Sequence, residues 1–556
     1  MIIFWKILAA GLTAFLLWAA FPPMNETVDI AFALAPMLAL TRLSRPKSAA
    51  GWWFASGFAF WFGTLSWMPA ICRNNGPWPL VVLGWIGLAS ACAGYMALFG
   101  WLDAKMWQRI GRGCADGGSP PKCGMAERLL VLAVAEPALW AGIEWLRGTL
   151  FTGFAWNFLG TAVGGLPSFA TPARIGGVYF LSALVIMVNG VFATLILRVV
   201  APMTGRGIGR GEGGKSGRIF RIAETAFPLL IVYAALQLST PDLPVSPSPG
   251  SQVSQLRVAL IQRNAPCVFS RRDAEDPFRA FASLLDKVAP ANPDLIVLAE
   301  SAFAEFGSAG SDRTRQAALH FSNRCGGAAV IGGADDVVYS NGARRVFNAA
   351  AFYRQSESNA LAAVYRKQHL VPFGEYIPLD KWITPLQRLS PIGVSLYPGE
   401  PVLFDLDAIK LAPLICFEDT VPSLARQAAK DGADAIVLIT NDSWFSHSVE
   451  AEQHARQAVM RAIETGIPVL RTGNSGVTGV IMPSGRARWL TDGNGHPLVD
   501  APGCQIESVQ IVRNRPPTPY VRFGDWPMLS VFVLAVAFAL LPRRTQSRQG
   551  TEDQPR

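Results

Sequence analysis

The chain has 556 residues, 51% of them hydrophobic and only 16% charged, with 17 Trp and 32 Phe. Soluble domains average roughly 25% charged residues, so the composition excludes a disordered chain, a small disulfide scaffold and an ordinary soluble enzyme. The formal net charge is +9, but the basic residues sit in short loops between apolar runs, as in membrane proteins.

Stretches near the ~20 apolar residues that cross a bilayer predict eight spans, at 3–21, 28–43, 51–71, 79–102, 128–146, 176–198, 222–239 and 526–542. The first, with Lys6, an apolar core and Ala19-Ala20, also has the form of a secretory signal. The spans that follow at once favour an uncleaved helix. Basic residues mark alternate loops: Arg42, Arg45 and Lys47 after the second span, then Lys105, Arg109, Arg112, Lys122 and Arg128 after the fourth. Arg198 through Arg221 follow the sixth, and Arg543, Arg544 and Arg548 the eighth. Basic loops stay in the cytoplasm. Both termini are therefore expected inside, and the region of about 240–525 outside.

Gly209–Ser216 matches the phosphate-loop pattern, but it lies in a Gly/Arg run between two spans, without the strand and helix that motif needs. It reads as a basic linker. Cys114 and Cys123 lack the partners of a zinc site. Glu136 and Glu144 lie inside the fifth span, where a carboxylate is costly and often functional; a packing role for them is equally open.

The outer region opens with a Pro/Ser tract that reads as a linker. The predicted division is a membrane domain at 1–239, a linker at 240–255, a catalytic domain at 256–515 and a C-terminal helix at 526–542. Predicted strands lie at 256–262, 294–299, 328–333, 346–353, 410–415, 434–439, 468–472 and 477–482. Predicted helices lie at 273–289, 311–324, 421–431 and 451–465. The alternation argues a layered α/β domain.

Cys72, Cys267, Cys325, Cys416 and Cys504 fall on the outer side, an odd number, so at least one thiol is free. Cys416 ends the run Lys410–Asp419 (KLAPLICFED). From that segment alone, a buried structural thiol and a nucleophile are equal readings. Two other strand ends tip the balance. Asp294–Glu300 (DLIVLAE) ends in a carboxylate, and a strand before Lys367 ends in a cation. Glu, Lys and Cys at three strand ends supply a base, an oxyanion partner and a nucleophile. The ammonium is expected to lower the thiol pKa. Of the five His, His369 lies two residues from Lys367, while His447 and His454 suggest a metal only by spacing. No metal and no cofactor is expected.

At these residues the chain resembles the nitrilase, or carbon–nitrogen hydrolase, superfamily, and within it the bacterial apolipoprotein N-acyltransferase family. The likeness runs through Pro137–Gly148 (PALWAGIEWLRG), Phe151–Trp156 (FTGFAW), Lys367–Pro378 (KQHLVPFGEYIP), Thr440–Phe445 (TNDSWF) and Asn474–Thr478 (NSGVT). It implies an αββα sandwich on a helical membrane domain of eight spans. It implies Glu300 as general base, Lys367 as oxyanion-stabilising cation and Cys416 as nucleophile. Glu375 would support Lys367, Phe417 and Glu418 would shape the cysteine turn, and Asn348 would lie near the site. The implied reaction moves an acyl chain from a membrane phospholipid, through a cysteine thioester, to the N-terminal amine of diacylglyceryl-cysteine lipoproteins. The implied location is the bacterial inner membrane, multi-pass, with the catalytic domain periplasmic. A membrane-tethered amidase that uses water is the alternative. The chain departs from the family at Leu298-Ala299 before the base and at Phe417, where Tyr is common. It also lacks a Trp near Cys267, where Phe269 would replace the bulk. Apart from the resemblance, residues 379–397, with Trp382, Ile383, Leu386 and Tyr397 in a Pro-interrupted run with few charges, read either as a lid dipping into lipid or as a buried core flap.

Overall fold

The computed structural model describes residues 2–74, 76–111, 125–203, 215–239, 251–266, 276–340, 342–355, 360–378 and 395–541. The expected linker is mostly outside these residues. So are the phosphate-loop look-alike apart from its last two residues, Cys114, Cys123, Cys267, Phe269 and the lid segment up to 394.

Among the described residues, four helices are long and apolar enough to cross a membrane: Trp78–Ile110, Met125–Thr152, Ala173–Val200 and Arg218–Ser239. Ile3–Ala19 and Trp526–Leu540 are shorter apolar helices. The expected second span, 28–43, is corrected. It is a 3₁₀ turn, Thr27–Ala31, followed by the helix Ala35–Arg42. Eight residues reach only ~12 Å, well short of a bilayer core of ~30 Å. The break survives in an apolar setting because buried Asn189 satisfies its backbone. The Asn189 Oδ1 accepts from Leu34 N at 2.8 Å and Ala35 N at 3.1 Å, and Nδ2 donates to Ile30 O at 2.8 Å.

The outer half contains two six-stranded sheets. The first has the order β12-β1-β2-β3-β4-β5 and the second β11-β10-β9-β8-β7-β6. Their strands are β1 Gln252–Gln262, β2 Leu295–Leu298, β3 Ala329–Ser340, β4 Ala343–Tyr353, β5 Leu361–Arg366 and β6 Phe404–Leu406. They continue with β7 Ile409–Ile415, β8 Ala435–Thr440, β9 Val469–Gly473, β10 Gly479–Ile481, β11 Ala487–Trp489 and β12 Gly503–Arg513. Side chains alternate across a strand, and β7 shows the result. Leu411 and Ile415 enter the core between the sheets, with Leu260, Phe352, Tyr365, Val437 and Ile511. Ala412 and Leu414 face the other way, onto the helix layer.

That outer layer consists of Pro422–Lys430 and Glu450–Thr465, while Pro277–Val288 and Asp312–Arg324 cover the first sheet. The architecture is thus an αββα sandwich, a nitrilase-like arrangement. Glu450–Thr465 joins the two halves. Ala458, Val459, Met460 and Ile463 belong to one apolar core with the membrane helices. Gln453 on the same helix is fully enclosed. Its Oε1 accepts from Trp67 Nε1 at 3.2 Å and Trp156 Nε1 at 2.8 Å, and its Nε2 donates to the carbonyls of Pro22 and Thr64. Helix Ala173–Met203 opens at Gly177, with φ of +73°. A Cβ there would lie 2.5 Å from the Tyr520 ring. The opening frees Val178 N to donate to Glu464 Oε1 at 2.7 Å.

Candidate active site

Parallel strands β2 and β7 end at the same edge of their sheets, and β5 brings a third end beside them. Glu300 follows β2 by one residue beyond Ala299. Neighbouring β3 must carry glycine here, since a Cβ on Gly333 would lie 2.3 Å from Ser301 N and 2.6 Å from Glu300 Cα. The Glu300 carboxyl is buried, and its Oε1 accepts from Asn348 Nδ2 at 2.7 Å. Burial raises it to about 7, against the opposing charge of Lys367 and with help from Glu375.

Lys367 is only 1% exposed and is paired with Glu375 at 2.9 Å. Glu375 also accepts from Asn348 Nδ2 at 2.8 Å and from Val371 N at 2.8 Å. Burial alone would lower the lysine. The charges of Glu375, Cys416, Glu300 and Glu418 outweigh it and hold the ammonium above the ordinary lysine range. Lys367 is a fixed cation.

Cys416 stands at the mouth of β7 with φ of +52°, a left-handed conformation that costs an L residue of order 1–3 kcal/mol and persists only where its surroundings hold it. Glu418, fully buried, does the holding. It accepts from Ile415 N at 2.8 Å, Gln368 N at 2.6 Å, His369 N at 3.0 Å and Tyr365 OH at 2.8 Å. One carboxylate therefore ties the cysteine turn to the segment that follows Lys367. The thiol itself differs from expectation. Burial and the charge of Glu300 push it well above its ordinary value, Lys367 opposes them, and Asp442 adds to the rise. The ammonium is present, but desolvation wins, so the resting group is a thiol.

Phe417 forms the floor beside Cys416. Its ring stacks on Trp156 at 6.3 Å and 5°, on Phe154 at 6.4 Å and 19°, and on His369 at 6.0 Å and 21°. Two of these three rings come from the membrane half. Glu300, Lys367, Cys416, Glu375, Phe417, Glu418 and Asn348 thus occupy one site. His369 contributes a ring face and a backbone N–H, and burial lowers its pKa first, with Lys367 adding to the effect. Among the described residues, Cys325 is buried in the outer core and Cys504 packs against that core, while Cys72 lies in the turn Met68–Asn74.

Sequence reasoning missed a second buried layer behind the cysteine. His454 lies between Asp442 Oδ1 and Asp419 Oδ1, each at 3.0 Å. Arg471 reaches the other oxygens of both, at 3.1 Å to Asp419 and 3.2 Å to Asp442. Burial works against the charged imidazole, yet the two aspartates raise it to about 10. Asp419 belongs to the cysteine turn and Asp442 to the turn after β8, so the cations clamp two strand-end turns together. Asp442, Glu450 and His454 also form a group of three metal-type donors. Both His454 nitrogens are committed to aspartates, however, and the donor set closes as an ion-pair network. His447, paired with His454 by spacing, lies elsewhere and contacts Asp500 at 3.1 Å. The sequence signals for this layer are scattered: Asp419 in the KLAPLICFED run, Asp442 in the TNDSWF stretch, and His454, which sequence reasoning weighs only for its spacing from His447.

Comparison with known proteins matches residues 13–191 to the apolipoprotein N-acyltransferase N-terminal domain and residues 257–512 to the carbon-nitrogen hydrolase domain. An apolipoprotein N-acyltransferase of Geobacter metallireducens is 29% identical over 489 residues, covering 87% of this chain and 86% of that protein. One from Vibrio parahaemolyticus is 27% identical over 546 residues, covering 94% and 95%. Among solved structures, an amidase from Nesterenkonia sp. is 18% identical, covers 50% of this chain and 95% of its own, and gives a TM-score of 0.34.

Proposed function

The chain belongs to the apolipoprotein N-acyltransferase family and is an enzyme of lipoprotein N-acylation, and on that premise we propose the chemistry of its site. Cys416 takes an acyl chain from a membrane phospholipid and passes it to the N-terminal amine of a diacylglyceryl-cysteine lipoprotein. The observation that carries this reading is the meeting of Glu300, Lys367 and Cys416 on a floor partly built from membrane-half aromatics.

In the first half-reaction Glu300 accepts the thiol proton as Cys416 Sγ attacks the ester carbonyl. The carboxyl near 7 is suited to that exchange at neutral pH. Lys367 Nζ and the backbone N–H of Phe417 face the developing oxyanion. The ester C–O bond breaks, the leaving alkoxide takes the proton from Glu300, and a lysophospholipid departs. In the second half, the neutral amine of the acceptor attacks the thioester. Glu300 takes a proton from nitrogen and returns it to the departing sulfur. The thioester lies above the ester in free energy, but the overall exchange of an ester for an amide runs downhill, so no nucleotide enters. An apolar floor favours amine over water, because transfer to water needs an open, wet pocket.

The basic-loop asymmetry supports placing the sandwich on the periplasmic face of the bacterial inner membrane. The division at 1–239, 240–255, 256–515 and 526–542 is part of the same proposal. The test is intact mass of the purified protein incubated with phospholipid. An adduct of one acyl chain, absent in Cys416→Ala and discharged by a diacylglyceryl-cysteine peptide, supports the reading. An adduct that water discharges equally well would make the chain a hydrolase.

A further inference from the structure

The C-terminal end of helix Glu450–Thr465 carries a charge arrangement that the acyl-transfer chemistry does not use. Arg515 donates from NH2 to Thr465 O at 3.4 Å. Arg174 places its guanidinium nitrogens 3.5 and 3.6 Å from where a Cβ on Gly466 would stand. Both side chains are half-buried. Two guanidinium groups therefore crowd the same helix end. Among the described residues, neither has a carboxylate within 4.0 Å. The acid that acts on Arg515 is Asp434, and it spends an oxygen on Lys410 N at 2.9 Å. Burial lowers Arg515 to about 10, Asp434 opposes that, and the like charge of Arg174 adds to it.

The helix end alone does not account for the pair. A helix C-terminus offers about half an elementary charge, against two full cations. Among the described residues, one long hydrogen bond uses little of two five-donor forks. The missing component is an anion with several oxygens, which guanidinium groups bind through paired N–H bonds.

The depth of the pair identifies the class of anion. Arg174 lies at the start of the apolar helix Ala173–Met203. Arg515 lies just before the turn Pro519–Phe523 and the apolar helix Trp526–Leu540. Phe523 is 56% exposed and Trp526 75% exposed at that level, as aromatic residues are at a membrane–water boundary. Phosphate is the anion that lines this boundary.

We propose that Arg174 and Arg515 bind the phosphate of a membrane phospholipid that is held, not consumed. The site is distinct from the one at Cys416. Eleven residues of helix separate His454, behind the cysteine turn, from Thr465, a rise of about 17 Å.

The test compares Cys416→Ala protein with the same protein also carrying Arg174→Gln and Arg515→Gln, so that no donor is turned over. Each full-length protein is stripped of lipid in detergent and titrated with phosphatidylglycerol under native mass spectrometry. The expected result is one fewer retained lipid in the arginine variant, or at least tenfold weaker retention of the last one. Diacylglycerol, which lacks phosphate, should not fill that position. Arg174→Lys with Arg515→Lys should recover part of the binding, which a purely structural role would not require. Equal retention in both proteins overturns the site. Displacement of the lipid by millimolar inorganic phosphate would assign it to free phosphate and overturn the lipid source. An arginine variant that loses its heat stability together with its lipid, with no recovery in the lysine pair, would reduce the pair to packing and overturn the site as well.

Discussion

Asn348 stands between two carboxylates, donating one amide group to Glu300 at 2.7 Å and to Glu375 at 2.8 Å. Leucine has nearly the same shape and no donor, so Asn348→Leu removes the bond with little change in volume. The bond favours ionised Glu300. A hydrogen bond to a charged group contributes about 1.5–3 kcal/mol, and one pKa unit is about 1.36 kcal/mol. Losing it should raise Glu300 by about 1–2 units from its present value of about 7. Glu300 must be ionised to take the thiol proton, so the rate falls as pH drops through its pKa. The acid limb of acyl-enzyme formation should move upward by those same units. At neutral pH, where about half of wild-type Glu300 is ionised, the variant should be about 5- to 50-fold slow, and it should recover in alkali. Quenched-flow intact mass of the Cys416 adduct, followed against pH, reads the limb directly. An unmoved limb, or one displaced toward acid, would refute the assignment of Glu300 as the base. Stability carries the opposite sign. A carboxyl raised from 4.5 to about 7 costs the fold about 3 kcal/mol above pH 7, and the cost disappears below about 4.5.

Cys416→Ala should abolish both the adduct and acyl transfer, while Cys325→Ala and Cys504→Ala should leave both largely intact; an adduct surviving in Cys416→Ala would move the nucleophile. Raised pH should partly rescue Glu300→Gln, because hydroxide supplies thiolate, but should rescue Lys367→Met much less, since an oxyanion donor is worth about 10²–10³ in rate. Equal rescue would mean that Lys367 acts on the thiol alone. His454→Gln leaves Asp419 and Asp442 facing Arg471 alone and should cost about 3–5 kcal/mol, read as a lower heat-inactivation temperature. The His454 contribution is complete below about 6.5, its unfolded value, and is lost as pH rises through about 10, so wild type should approach the variant only in strong alkali. A cytoplasm-dependent reporter fused after Gly250 should be silent, and strong activity there would reverse the proposed topology.

The sandwich was legible because its strands are short apolar runs bounded by turns. The eight predicted strands overlap β1–β4 and β7–β10, and the four predicted helices overlap those observed. β6 and β11 have three residues each, too few for a period to register. β12 escaped because it carries Gln505, Glu507 and Gln510 on an edge paired on one side only. The meeting of Glu300, Lys367 and Cys416 was legible because each of the three ends an apolar run. The thiol pKa was not, because a sequence records the neighbouring lysine and not the burial that outweighs it. The failed span at 28–43 has the same origin. Its composition is mostly apolar, with Asp29 and Arg42 near its ends, and the partner that licenses its break, Asn189, lies over 150 residues away.

The buried charges explain why a strained, protonated cysteine is workable here. Desolvation makes the thiolate expensive, and leaving it as a thiol protects it until a substrate arrives. The same burial raises Glu300 into the range where it exchanges protons at neutral pH, so one physical cause acts on both partners of the proposed transfer. In the proposed mechanism the permanent cation Lys367 is the group whose interaction grows as negative charge moves from sulfur to the carbonyl oxygen, and differential stabilisation of that kind is what lowers a barrier. This balance depends on geometry that the turn cannot hold by itself. Glu418 fixes it from the side of Lys367, and Asp419 fixes it from behind through His454 and Arg471. His454 and Gln453 are adjacent on one helix, and Gln453 is gripped by Trp67, Trp156 and Pro22 of the membrane half. The conformation of Cys416 is therefore set in part by contacts with the helical N-terminal half. For a reaction whose proposed donor and acceptor are both lipids, that places control of the thiol where the substrates arrive.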